Sequence, residues 1–275
     1  NVFKEFVIKI EITNNYKSEK LFNINKGWKK FHFFKKADTN FIGIHSIEPL
    51  NNDLFFLISY LKKKLILIDL NNKKTLDFPK ISRNLKGPSH ITSIKNKSLL
   101  MISDYDGGEV YLFDYKKKTF QKISELSKIK FNKPHMTTFS DNKYYILDTK
   151  KRNIIILDNK FNKIKSLNKN DIKFKNFEKY KKNFLDIPVA IKLDDYKNMY
   201  ISDVGKNNCI YVINSELSLV GIIENQKIIF NKSTFYEKNL NLNKVYDLDI
   251  NKNEIFIAST HSNKIFHLKN IFYKK

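Results

Sequence analysis

The stretch that decides the fold is residues 187–214, IPVAIKLDDYKNMYISDVGKNNCIYVIN. It contains an apolar strand, a polar turn, a second apolar strand that ends in Asp203, another polar turn and a third strand. Short apolar runs rich in β-branched and aromatic residues, separated by tight Asn-, Asp- and Lys-rich turns, are typical of a β-meander. The stretch therefore predicts a sheet of antiparallel strands that follow each other in chain order.

The same pattern recurs along most of the chain. The other copies are FIGIHSIEPLNNDLFFLISYLKKKLILIDL (41–70), GPSHITSIKNKSLLMISDYDGGEVYLFDY (87–115), KPHMTTFSDNKYYILDTKKRNIIILD (133–158) and NKVYDLDINKNEIFIASTHSNKIFHL (243–268). Most copies leave room for a fourth, outer strand, such as KTFQKI at 118–123. Antiparallel four-stranded units that repeat in this way predict an all-β fold, a β-propeller.

Two segments resemble NHL repeats, namely ISDVGKNNCIYVIN (201–214) and ILDTKKRNIIILD (146–158). In both, an Asp ends one strand and an Asn-containing turn leads into the next. The resemblance covers most of residues 41–268. NHL-repeat propellers serve as enzymes, as protein-docking platforms and as RNA binders, so the resemblance implies a fold and leaves the function open.

The repeat predicts a single domain at residues 1–275. The repeats are expected at about 41–86, 87–132, 133–186, 187–242 and 243–275, with residues 1–40 completing or forming the last blade. Six blades are favoured and five are the alternative. Because an open ring would expose unpaired strand edges, FVIKIEI (6–12) and KLFNIN (20–25) are candidates for the strands that close it.

Three histidines follow the period of the repeat. His45, His90 and His135 are each 45 residues apart, at what the sequence indicates is the same point of the repeat. The first strand of each blade lines the central channel, so these side chains are expected to meet at one end of it. Neutral imidazole is a common ligand of zinc and related metals. The spacing predicts a divalent metal site, for zinc or calcium, at the channel mouth.

The remaining blades must complete such a site. Blade four offers Val189 or Ala190, which cannot ligate a metal, and the next copy offers Tyr246 and Asp247. In a six-bladed ring that copy lies opposite the His90 blade. Asp247 is therefore the candidate carboxylate, as a metal ligand or as a catalytic base. Duplication of a plain turn residue is the competing interpretation of the histidines.

A second resemblance concerns KPHMTTF (133–139), which is similar to the Pro-His segments of the peptidyl-hydroxyglycine amidating lyases. These are NHL-type propellers whose zinc is held by histidines at the channel. The resemblance implies His135 as a ligand, with His90 in GPSHIT and then His45 as looser matches. That family also uses an arginine for the carboxylate of its substrate, and no counterpart is identified in this chain.

The chain is strongly basic, with a formal net charge of +23. Such a charge is usual for proteins that bind nucleic acid or anionic surfaces. However, Arg83 and Arg152 are the only arginines among the 51 basic residues, and arginine is the usual reader of phosphate and guanine. The lysines are therefore interpreted as compositional background, and nucleic-acid binding is not favoured.

Three functions remain. The favoured one is a binding scaffold for a protein or small molecule at one propeller face. The first alternative is a metal-dependent lyase or lactone hydrolase that uses the three histidines and Asp247. The second is single-stranded RNA binding by lysines and aromatic rings. No apolar run approaches the roughly 20 residues of a membrane span, and a start at Asn1 without methionine favours a location outside the cytoplasm.

Overall fold

The computed structural model describes residues 6–10, 18–23 and 43–272, except residues 52, 73, 95, 96, 231, 232 and 263. In these residues the chain forms antiparallel sheets whose strands pair in chain order. The prediction of an all-β propeller built from antiparallel blades is confirmed. Among the described residues, none of the helices has the length and the apolar character that a membrane crossing requires.

Three blades have four strands each. Blade one contains β3 (Ile44–Pro49), β4 (Leu54–Ser59), β5 (Lys64–Asp69) and β6 (Lys74–Asp77). Blade two contains β7 (Pro88–Ile94), β8 (Leu99–Asp104), β9 (Glu109–Asp114) and β10 (Thr119–Lys122). Blade three contains β11 (Pro134–Ser140), β12 (Lys143–Asp148), β13 (Asn153–Leu157) and β14 (Lys163–Leu167).

The last two blades depart from this pattern. Blade four has six strands, β15 (Pro188–Leu193), β16 (Met199–Asp203), β17 (Cys209–Ile213), β18 (Leu219–Glu224), β19 (Lys227–Phe230) and β20 (Ser233–Tyr236). Blade five has three, β21 (Val245–Asn251), β22 (Glu254–Ser259) and β23 (Lys264–Lys269). Short helices α1 (Pro79–Ser82), α2 (Ile123–Ser127) and α3 (Glu178–Lys181) lie in the segments between blades.

The expected preference for six blades is wrong, because the described residues form five. At the N-terminal end, β1 (Phe6–Ile10) pairs with β2 (Ser18–Asn23) in a separate two-stranded sheet. The residues that would extend these strands to 12 and 25 lie outside the described residues, as do most of residues 1–40. The period of the repeat overestimated the number of blades because β1 and β2, the described strands of this segment, pair only with each other.

The core lies between neighbouring blades. The first strands pack in the order β3, β7, β11, β15 and β21, so they form the inner wall of the ring. One apolar cluster joins blades one and two, a second joins blades two and three, and the largest spans blades three to five. Blade four is covered on both faces, which explains why β16 and β17 are buried at every position.

Candidate binding site at the channel mouth

The inner strand of every blade begins with the same irregularity. Its first residue pairs with the last residue of the second strand, and the next residue is an extra one that forms a β-bulge. A bulge bends the strand and redirects the side chain that it carries. The bulge residues of blades one to five are His45, Ser89, His135, Val189 and Tyr246.

This register corrects the expectation that the three histidines are equivalent. The spacing from Ile44 to Pro88 is 44 residues and the spacing from Pro88 to Pro134 is 46, so a constant step of 45 slips by one residue in blade two. His90 follows the bulge and pairs with Ser103. Because a slip of one residue changes the direction of a side chain, His90 belongs to a different layer from His45 and His135.

Buried side chains hold the start of the inner strand in blades two to five, by a carboxylate in blades two to four and by a hydroxyl in blade five. Asp203, at the end of β16, accepts hydrogen bonds from the backbone N–H groups of Asp186 at 2.8 Å and Ile187 at 3.0 Å. Asp104 and Asp148 do the same for blades two and three, and the Ser259 hydroxyl accepts a bond from the Asn243 N–H at 2.8 Å. These residues are structural, because their oxygens are occupied by turn amides.

Aromatic rings from the other blades surround His135 at the channel mouth. The centroid of its ring lies 6.5 Å from that of His45, 5.4 Å from Tyr105 and 6.3 Å from Tyr246. The His45 ring also contacts Tyr60, at 5.2 Å between centroids. These five residues, the mouth cluster, come from blades one, two, three and five.

The bulge side chains also join neighbouring blades. The Ser89 hydroxyl donates to the His135 carbonyl oxygen at 2.6 Å. The backbone of Ser89 lies close enough to the His45 ring to raise its pKa slightly against the larger effect of burial, and the backbone of Val189 acts in the same way on the pKa of His135. Each of these three residues therefore contacts the next blade at the same height in the ring.

The histidines at the mouth are neutral near pH 7. Burial, followed by the charge of His45, lowers the pKa of His135 to about 3. Burial also lowers the pKa of His45, although its ring keeps solvent-accessible surface in the channel. A neutral imidazole offers one donor and one acceptor nitrogen. The Nδ1 atom of His135 is buried and has no hydrogen-bond partner among the described residues.

His90 is satisfied within the protein. It is 7% exposed, and its Nδ1 atom lies 3.2 Å from the Thr92 hydroxyl oxygen. That hydroxyl donates its hydrogen to the Thr137 carbonyl at 2.7 Å, so the Nδ1–H group of His90 is the donor to Thr92. Burial, with smaller effects of Lys192, His135 and His45, holds the pKa of His90 well below its usual value.

A charged layer lies further along the inner strands. It consists of Glu48, Lys192, Asp247 and Asp249, from blades one, four and five. The Lys192 ammonium is 3.5 Å from an Asp249 oxygen, and the Ser93 hydroxyl donates to Glu48. Burial acts to lower the pKa of Lys192, but the three carboxylates outweigh it and raise that pKa.

Asp247 belongs to this charged layer, and Tyr246, one residue earlier, faces His135. Burial is the main reason that the pKa of Asp247 rises to about 6, with Lys192 acting in the opposite direction. One of its oxygens accepts the Leu248 N–H at 2.8 Å. Its expected role as a metal ligand or a base stays a prediction.

The mouth cluster has polar surroundings that the sequence reading did not identify. The Tyr60 hydroxyl donates to Asp106, and this bond, followed by burial, raises the pKa of Tyr60 to about 12. The Lys133 ammonium lies 4.5 Å above the centre of the Tyr105 ring and 3.5 Å from Asp106. The sequence did contain a signal for these two tyrosines, because Tyr60 and Tyr105 directly follow the second strands of their blades.

The placement of the side chains bears on metal binding. Within the described ranges, no group of three or more His, Cys, Asp and Glu side chains is arranged to hold a metal ion. His45 and His135 face each other, whereas His90 lies in the next layer. The metal site of His45, His90 and His135 therefore stays a prediction.

Comparison by sequence leaves the family open, since no protein-family model and no curated protein matches the chain. Comparison by structure identifies propellers. A chain of a nidogen/laminin complex is similar over 99% of this chain and 88% of its own, with a TM-score of 0.63 and 8% identity. A streptogramin B lyase is similar over 82% and 83%, with a TM-score of 0.55 and 13% identity.

The hydrazine synthase of Kuenenia stuttgartiensis is a third similar structure, with a TM-score of 0.57, 11% identity and coverage of 82% and 76%. These three similar structures are a protein complex, a lyase and a synthase. At such low identity the similarity concerns the fold alone. By its fold, this chain is a β-propeller.

Proposed function

We propose that the protein is an NHL-like binding scaffold that receives its ligand at the channel mouth. The observation that carries the proposal is the convergence of three rings on His135, whose buried Nδ1 atom lacks a hydrogen-bond partner among the described residues. A buried polar atom without a partner is costly unless water or a ligand satisfies it. Concave sites with rings and a few convergent polar groups are the usual form of ligand sites.

A rigid frame of inner strands holds the mouth cluster in place. The inner strands of blades two to five are held at their start by hydrogen bonds to buried side chains, and the bulge residue Ser89 bonds to the next blade. A frame of this kind holds the rings in position before a ligand arrives, which reduces the entropy lost on binding. Neutral imidazoles and phenols favour an uncharged or hydrogen-bonding part of a ligand at the mouth itself.

The proposal is tested with a library of small polar fragments and NMR of the histidine rings. Fragments that bind are expected to shift the signals of His135 and His45 together, because the two rings share one site. His135→Gln removes the binding, whereas His267→Gln, on the outer strand β23, leaves it unchanged. Fragments that bind elsewhere and never shift the signals of His135 would contradict the proposal.

A divalent metal at His45 and His135 is the second candidate. It is supported by the facing rings and by their lowered pKa values, because the neutral imidazole is the form that binds metals. The metal would supply a Lewis acid for the alternative lyase or lactone hydrolase reaction. Cobalt(II) titration tests it: His45→Gln and His135→Gln should each abolish binding, and His90→Gln should not. If all three variants lose cobalt binding equally, the three-histidine site expected from the sequence is supported instead.

A further inference from the structure

The two ends of the channel differ in charge. The hairpin loops between second and third strands lie at the end that carries Tyr60 and Tyr105, and we call their outer surface the mouth face. The only acidic residue in these loops is Asp106. Their basic residues are Lys62, Lys63, Lys150, Lys151, Arg152 and Lys206.

The corresponding loops at the other end are balanced. Among the described residues, acids and bases are about equal in number in the loops between first and second strands and between third and fourth strands. The acids are Asp53, Asp141, Asp158, Asp194, Asp195 and Glu216, and the bases are Lys97, Lys116, Lys117, Lys118, Lys160, Lys197 and Lys252. Both sets of loops come from the same lysine-rich chain, so compositional background would load them equally. The excess of positive charge is therefore a property of the mouth face.

The few acids at the mouth face already have cationic neighbours. Asp106 lies 3.5 Å from the Lys133 ammonium, and Asp186 lies 2.7 Å from the guanidinium of Arg152. A set of exposed lysines around a mouth of uncharged rings produces a positive potential that attracts anionic partners from beyond contact distance. This potential is screened by salt over about 10 Å at 0.1 M.

Two exposed aliphatic side chains accompany these lysines. Leu61, in the first of the loops, is 61% exposed, and Ile187, directly before β15, is 44% exposed. The rings of Tyr60 and Tyr105 instead contact the histidines. Base stacking uses open aromatic faces and specific readout of nucleic acids uses arginine forks, whereas aliphatic side chains among lysines suit a polypeptide.

We propose that the mouth face docks an acidic segment of a partner protein, in which carboxylates alternate with aliphatic side chains. The carboxylates contact lysines such as Lys62, Lys150 and Lys206, and the aliphatic side chains pack on Leu61 and Ile187. The inference rests on the proposed function, since it names the partner that covers the channel mouth.

The test measures fluorescence anisotropy at low ionic strength with three labelled probes of equal length: a Glu-Leu repeat peptide, a Glu-Ser repeat peptide and oligouridine. The variant Lys62→Glu/Lys150→Glu/Lys206→Glu should weaken binding of the Glu-Leu peptide about tenfold. The control Lys116→Glu/Lys117→Glu/Lys160→Glu has the same change in net charge on the opposite face and should change binding less than about twofold. Leu61→Ser with Ile187→Ser should reduce the Glu-Leu affinity to that of Glu-Ser.

Three results would overturn the inference: equal loss with both charge variants, tighter binding of oligouridine through the same lysines, or no binding of either peptide. The outcome is separable from that of the proposed function. If fragments still shift the NMR signals of His135 while no peptide binds, the ligand site at the mouth cluster is supported and the acidic partner is excluded. If peptides bind through the lysines and no fragment binds at His135, the acidic partner is supported and the ligand site at the mouth cluster is contradicted.

Discussion

The mouth cluster and the charged layer lie at neighbouring heights of the same channel. They differ in how far partners within the protein satisfy their polar groups. In the charged layer, Lys192 is surrounded by Glu48, Asp247 and Asp249, so its charge is neutralised within the protein. In the mouth cluster, His135 is uncharged and its Nδ1 atom has no hydrogen-bond partner within the part of the chain that the structure describes. The difference indicates that the charged layer joins blades, whereas the mouth keeps capacity for a ligand.

The largest expected effect comes from breaking the charged layer. Lys192→Met leaves three carboxylates without their common cation, so the free energy of unfolding should fall by about 2 kcal/mol near pH 7, somewhat less than for a fully buried pair. Urea unfolding measures the change. Adding Asp247→Asn should restore part of the loss, because it removes one of the uncompensated charges.

Lys197→Met is the matched control, because Lys197 pairs with Asp141 at 2.9 Å on the surface. Exposed pairs of this kind contribute about 0 to 1 kcal/mol. If Lys197→Met and Lys192→Met have the same effect, the charged layer is no more important than a surface ion pair.

The second effect is a dependence of stability on pH. His135 has a pKa of about 3 in the folded protein and 6.5 as its unperturbed value, so the unfolded chain binds the proton first. Stability is therefore complete above pH 6.5 and is lost as the pH falls towards 3, by at most about 1.4 kcal/mol per pH unit for one group. His135→Gln should make the profile between pH 7 and 5 less steep.

Asp247 acts in the opposite direction. Its pKa of about 6 lies above the unperturbed 3.8, so the folded protein gains stability as the pH falls through 6. Asp247→Asn should therefore make the loss of stability at low pH steeper. Parallel profiles for the wild type, His135→Gln and Asp247→Asn would mean that neither layer contributes to the pH dependence.

The smallest expected effect tests the hydrogen bonds between blades at the mouth. Ser89→Ala removes the donor to the His135 carbonyl and should lower stability by about 1 kcal/mol. It should also shift the NMR signals of the His135 ring, since the backbone of that residue loses a contact. Ser98→Ala, which removes a bond to Asp114 in a loop of the opposite face, is the control for stability and should leave those signals in place.

Particular residues show which features the sequence predicts and which it does not. The sequence shows an Asp at the end of several second strands, and in the structure Asp148 and Asp203 accept hydrogen bonds from backbone amides two or three residues later, so this turn chemistry is local. The equivalence of His45, His90 and His135 was wrong, because a bulge and segments of unequal length shift the register by one residue. Equal spacing in sequence is not equal position in a sheet.

The charged layer and the asymmetry of the lysines were also beyond sequence reading. Lys192 and Glu48 are separated by most of the ring in sequence, and only the closure of the blades around one channel brings them together. The lysines follow no motif, and their imbalance becomes visible only when each loop is assigned to an end of the channel.

The sequence by itself determined the all-β class, the repeated antiparallel blade and the turn residues, because alternation of apolar residues and turn chemistry act over a few positions. The tertiary structure alone decided that the described residues form five blades, which histidines face each other and which face is basic. Those properties depend on contacts between blades, where one residue of register or one inserted hairpin changes which side chains meet.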